Sequence, residues 1–155
     1  IELELVAGNF DGEELPAGPL VLETVLPAPP GSPSHLERIT DRATFLLRPE
    51  IKLAASAAAG SKLTVAVTPK LAPGQMPRLV LNGQSPAAAG SLQIDPEPIN
   101  AGAPTASLKF PLKDVPKGSY YAQLLVEGTA SAPQVETDQT SPAFGRIVGP
   151  LLEVK

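Results

Sequence analysis

The sequence predicts an all-β fold, an antiparallel β-sandwich of about eight to ten strands with no long helix. Three observations predict it. Nineteen prolines and thirteen glycines are spread over 155 residues, a spacing that no long helix survives. Hydrophobic residues make up 43% of the chain and fall in short clusters, so the chain has a core to bury and is not a disordered polymer. Several of those clusters alternate apolar and polar residues, and turn signals separate them every 8–15 residues or so.

Taken in order, Ile1–Val6 (IELELV) puts Ile1, Leu3 and Leu5 on one face and Glu2 and Glu4 on the other, a half-buried strand. Gly8–Pro19 reads as a loop with a type I turn at Leu15–Gly18. Pro19–Leu26 is a second strand, and the Pro/Ser-rich Pro27–His35 is the best domain boundary in the chain. Ala43–Arg48 is a strand stopped by Pro49, continued by Glu50 onward. Ser56–Gly60 reads as a loop, and Leu63–Thr68 alternates again. Ala72–Gln75 suits a type II turn, with Pro73 setting φ and Gly74 supplying a positive one. Arg78–Asn82 is a strand, and Asn82-Gly83 signals a tight turn. Within the Pro/Ala/Gly-rich Gln84–Thr105, SLQI forms one short strand.

Phe110–Gly128 (FPLKDVPKGSYYAQLLVEG) carries the clearest local signal and reads as a hairpin. Leu108, Phe110 and Leu112 share the buried face of its first strand. Pro111 points away, which suits an edge strand or a bulge. Val115–Gly118 supplies a turn, and Tyr120, Ala122, Leu124 and Val126 point inward from the second strand. FGRIV and LLEV close the fold around Gly149-Pro150.

The residues offer little chemistry. The net charge is −4 and the pI about 5.0, with scattered Lys and Arg. Nucleic-acid binding, which needs a basic face, is not expected. Two Tyr, four Phe and no Trp leave little for a stacking platform. Without cysteine there is no disulfide, thiolate metal site or Cys nucleophile. No apolar run reaches membrane-spanning length. His35, beside Ser32 and Ser34, lacks a carboxylate orienter and a nucleophile elbow, and reads as a loop residue. Asp11, Glu13 and Glu14, and Asp95 with Glu97, are loop carboxylates without the aromatic cleft of a glycosidase or the spacing of a calcium loop. Gly8–Gly12 (GNFDG) is a turn lacking the Lys and helix of a phosphate loop. No catalytic, cofactor-binding or metal residue is expected, and the chain reads as a non-enzyme. Tyr121, Gln123 and Glu127, on the outward face of the last long strand, are the candidate interface residues.

Four ordered stretches carry a family resemblance: Asp41–Lys52 (DRATFLLRPEIK), Leu63–Gly83, Leu108–Pro133 and Phe144–Val154. The pattern is followed at Phe45, Leu47, Arg48, Pro49 and Ile51. It is followed again at Leu81-Asn82, Phe110-Pro111, Val115, Gly118, Tyr120, Val126, Gly128 and Ser131. Together they resemble the C-terminal immunoglobulin-like (IPT/TIG-type) region of tail-terminator, or cap, proteins of phage-tail-like contractile injection systems. The resemblance implies that residues 1–43 are the closing strands of a preceding Ig-like unit plus a Pro-rich linker, and that 44–155 form an Ig-like β-sandwich. It implies a structural module of a multi-subunit particle. The partners would be tube, sheath and cap protomers, joined in a homo-oligomeric ring through regions absent from this chain. Assembly would be cytoplasmic, with extracellular release of the particle left open. An adhesion or accessory domain of a bacterial surface protein is the alternative.

Overall fold

A computed structural model describes residues 9–10, 13–26, 28–33, 38–84, 88, 90–100 and 102–155. The strand expected at Ile1–Val6, and His35 with Ser34, lie outside the described residues. Among the described residues every regular element is a strand.

The short β1 (Asn9–Phe10) and β2 (Glu13–Glu14) pair antiparallel. Next, β3 (Gly18–Leu26) and β4 (Arg38–Leu47) pair over their whole length, from Gly18 opposite Leu47 to Leu26 opposite Arg38. The Pro-rich stretch read as a boundary is therefore, over residues 28–33, the loop of a hairpin. Inside it Ser32 N–H donates to the Pro29 carbonyl at 2.9 Å. The strand expected at Ala43–Arg48 starts earlier, at Arg38, because β3 supplies it with a partner.

The remaining strands are β5 (Glu50–Leu53), β6 (Ser56–Ala57), β7 (Lys62–Leu71), β8 (Pro77–Gly83), β9 (Ser91–Ile94), β10 (Thr105–Pro111), β11 (Gly118–Val126), β12 (Thr129–Ala130), β13 (Gln134–Val135), β14 (Ile147–Gly149) and β15 (Leu151–Val154). All but β13 and β14, which pair only with each other, build a two-sheet sandwich. One sheet has the order β10-β7-β5. The other has the order β6-β15-β11-β8-β9, with β12 also on β11. Ladders are antiparallel except β6 with β15, which is parallel. Period-2 patterning places the core between the sheets. Leu63, Val65, Val67, Leu108 and Phe110 face it from the first sheet. Leu79, Leu81, Tyr120, Ala122, Leu124, Val126, Leu152 and Val154 face it from the second. Each large apolar side chain buried there contributes about 1.5–3 kcal/mol of transfer free energy.

Several expectations are corrected. β7 runs past Thr68 to Leu71, because Pro69 falls where the β10 register shifts and the β5 ladder has ended, so no ladder N–H is missing. Asn82-Gly83 is not a tight turn: both residues stay in β8, opposite Tyr121 and Tyr120. Gly83 is needed for close approach, since a Cβ there would collide with the Ala88 carbonyl oxygen. Ser56–Ala57, read as loop, pairs with Glu153 and Val154.

The largest correction concerns Phe110–Gly128. It is not a hairpin. β10 belongs to the first sheet and β11 to the second, so the segment is a corner between sheets. The turn itself begins three residues earlier than Val115–Gly118, at Leu112–Val115, closed by Val115 N–H to the Leu112 carbonyl at 3.3 Å. Alternation states which face of each strand is buried, and both faces here are indeed buried. It does not state whether the two strands share a sheet. As expected, β10 is an edge strand, and Pro111 is exposed.

Candidate interaction surface

The true hairpin at this end follows β11. Glu127 and Gly128 have φ of +46° and +80°, the two-residue type I′ geometry whose twist matches paired strands. The chain then returns as β12. Ser131, buried, accepts Leu124 N–H on its hydroxyl at 3.0 Å and donates its own N–H to the Leu124 carbonyl at 2.7 Å.

Beside this hairpin lies a groove of about 650 Å³. It opens between the β7–β8 turn, the 95–105 segment and the Glu127–Gly128 turn. Leu71, Pro77, Pro96, Ile99 and Leu125 give it apolar walls. Met76, 82% exposed, stands at its rim. The Arg78 guanidinium is held by Asp95 at 2.9 Å and by Gln93 at 3.0 Å. Glu97 is paired with Lys62. Glu127 accepts Met76 N–H at 3.1 Å and has no cationic partner among the described residues.

A second feature is an arm between β12 and β15. β13 and β14 form its stem, with Val135 opposite Ile147. Hydrogen bonds across it, Glu136 N–H to the Arg146 carbonyl (3.0 Å) and Gly145 N–H to the Glu136 carbonyl (2.9 Å), continue the pairing. At the tip Asp138 accepts the Thr140 hydroxyl at 2.7 Å and the Thr140 N–H at 2.9 Å. The Thr140 hydroxyl, and then its N–H, hold the Asp138 carboxyl below the usual aspartate range. The arm is tied to the sheet where Tyr121 O–H donates to the Ile147 carbonyl at 2.9 Å. Of the eight large apolar residues left well exposed among the described residues, five lie on or next to this arm: Val135, Phe144, Ile147, Val148 and Leu151.

The three residues singled out from sequence fall in two places. Tyr121 and Gln123 are half-buried on the outward face of β11, opposite Asn82 and Val80. Glu127 is beyond the end of the strand, in the turn that lines the groove. Leu125 takes the outward position that alternation assigned near it. The exposed arm was missed because its strands are two and three residues long, too short for periodicity. The cluster Phe144, Ile147 and Val148 in FGRIV was its available signal, and it was read as a closing strand. Of the five carboxylates weighed for chemistry, three are engaged in ion pairs: Asp95 with Arg78, Glu97 with Lys62, and Glu14 with Lys70 at 3.2 Å; Asp11 lies outside the described residues. Among the described residues no three of His, Cys, Asp or Glu converge as a metal site would require, and no helix is long and apolar enough to cross a membrane. What the surface offers is a walled groove and an apolar arm, features suited to binding another macromolecule.

No curated protein matches the chain. A family model described as a domain of unknown function, DUF8756, matches residues 43–154. That interval holds the two sheets, the groove and the arm, and on that coverage the chain belongs to the DUF8756 family.

Proposed function

We propose that the chain is a non-enzymatic interaction module: an immunoglobulin-like extension of a cap, or tail-terminator, protein in a phage-tail-like contractile injection system. The observation that carries the immunoglobulin-like part is strand order. β5, β7 and β10 take the places of strands A, B and E, and β6, β15, β11, β8 and β9 those of A′, G, F, C and C′. The Tyr120 hydroxyl supports it, donating to the Pro116 carbonyl at 2.8 Å from the start of β11. That is the tyrosine corner such sandwiches use where E passes to F. The groove then lies among the B–C, C′–E and F–G connections, the end at which these folds commonly bind.

The assignment to a cap rests on the ordered resemblance of the four stretches that carry Phe45, Arg48, Phe110 and Tyr120. In this reading the module is built in the cytoplasm with tube and sheath subunits and adds surface to the particle's distal end. Affinity capture of the tagged full-length protein from its source cells tests it. Tube and sheath subunits are expected in the eluate by mass spectrometry. Their absence from particle-producing cells would reject the cap assignment. Recovery in the cell-surface fraction instead would favour an adhesion or accessory domain.

A further inference from the structure

We propose that the groove receives the Phe144–Ile147 segment of the arm from a second copy of this chain. The two surfaces are complementary in shape class and in charge. This segment is a knob: Phe144 is 53% exposed and Ile147 49%, and Arg146, between them, has no ion pair among the described residues. The groove is a hole walled by Pro77, Pro96, Ile99 and Leu125. Of its three carboxylates, Asp95 and Glu97 already hold a cation. Glu127 holds none, and it is the one free to take Arg146.

The segment is also ordered in advance. Phe144 N–H donates to the Ser141 carbonyl at 3.0 Å, and Arg146 N–H to the Ala143 carbonyl at 2.8 Å. Insertion therefore fixes little that is not already fixed, which lowers the entropic cost of association. A groove of about 650 Å³ accommodates an aromatic ring with aliphatic neighbours. The proposal does not depend on the cap assignment, since it uses only surfaces of this chain.

Sedimentation velocity of the purified chain over a wide concentration range tests it, with circular dichroism to confirm folding of each variant. Self-association is expected in the unmodified chain. Phe144→Ala, Glu127→Lys and Arg146→Glu should each weaken it roughly tenfold or more. The double variant Glu127→Lys with Arg146→Glu should associate again, because the cation and the carboxylate have changed places. An equimolar mixture of the two single reversals should also assemble where neither does alone. A chain that stays monomeric at the highest concentrations, or one whose association ignores both charge reversals, overturns the proposal.

Discussion

Tyr120 shows most clearly how one side chain fixes local geometry. Its ring is fully buried and its hydroxyl reaches back to the Pro116 carbonyl. Tyr120→Phe keeps the ring and loses the bond, and is expected to cost about 1 kcal/mol in denaturant unfolding. A change indistinguishable from zero would remove the corner from the account. Ser131 makes a sharper case, because it is buried with its partner. Ser131→Ala leaves the Leu124 N–H without an acceptor, at an expected cost of about 1–3 kcal/mol. Ser131→Thr keeps a hydroxyl there but adds a methyl group to a buried site, so Ala is the cleaner substitution. Neither bond was legible in sequence. The inward direction of Tyr120 was, because alternation fixes direction. Which carbonyl its hydroxyl meets depends on where the chain comes from, and that is decided by the sheet-to-sheet crossing.

At the scale of elements, strong alternation was read well and pairing was not. In β7 exposed and buried positions alternate residue by residue, and in β11 half-buried and buried ones do from Tyr120 to Val126. The ends of β9 are those expected. The failures, at β6, β13 and Asn82-Gly83, share a cause. Each is decided by a distant partner: β15 for β6, β14 for β13, and the approach of Ala88 for Gly83. β8 lies between β11 and β9, so its side chains are packed from several directions. Leu81→Ala is expected to cost about 2–5 kcal/mol, read from the denaturation midpoint at unchanged m-value.

The docking of β2 on β7 adds a pH dependence. Glu14 accepts the Lys70 N–H at 2.9 Å and pairs with its ammonium. The backbone bond first, and then the side-chain bond, hold its carboxyl below the ordinary glutamate range. A depressed carboxylate contributes stability that is complete above the unfolded-state pKa and is lost as pH falls through the lower folded value. The Lys70 amide resonance should therefore titrate below the ordinary glutamate range. Titration at or above that range would mean that the contact does not form in solution.

For the whole molecule, the all-β class followed from proline, glycine and short apolar clusters, because these exclude helices whatever the topology. The candidate site was legible only in fragments. Glu127 was singled out for a face it does not share, and it lines the groove because a type I′ turn ends the strand at Val126. Groove and arm are both made of connections, whose residues show no period to read. The central claim is that this domain adds binding surface to a tail-like particle and carries no chemistry of its own. Electron microscopy of intact particles from the source cells, with a gold label on a tag fused to this domain, tests it most directly. The account predicts gold at the distal end, next to the cap, and bare ends in particles from cells lacking the protein. Gold that never associates with particles would contradict it.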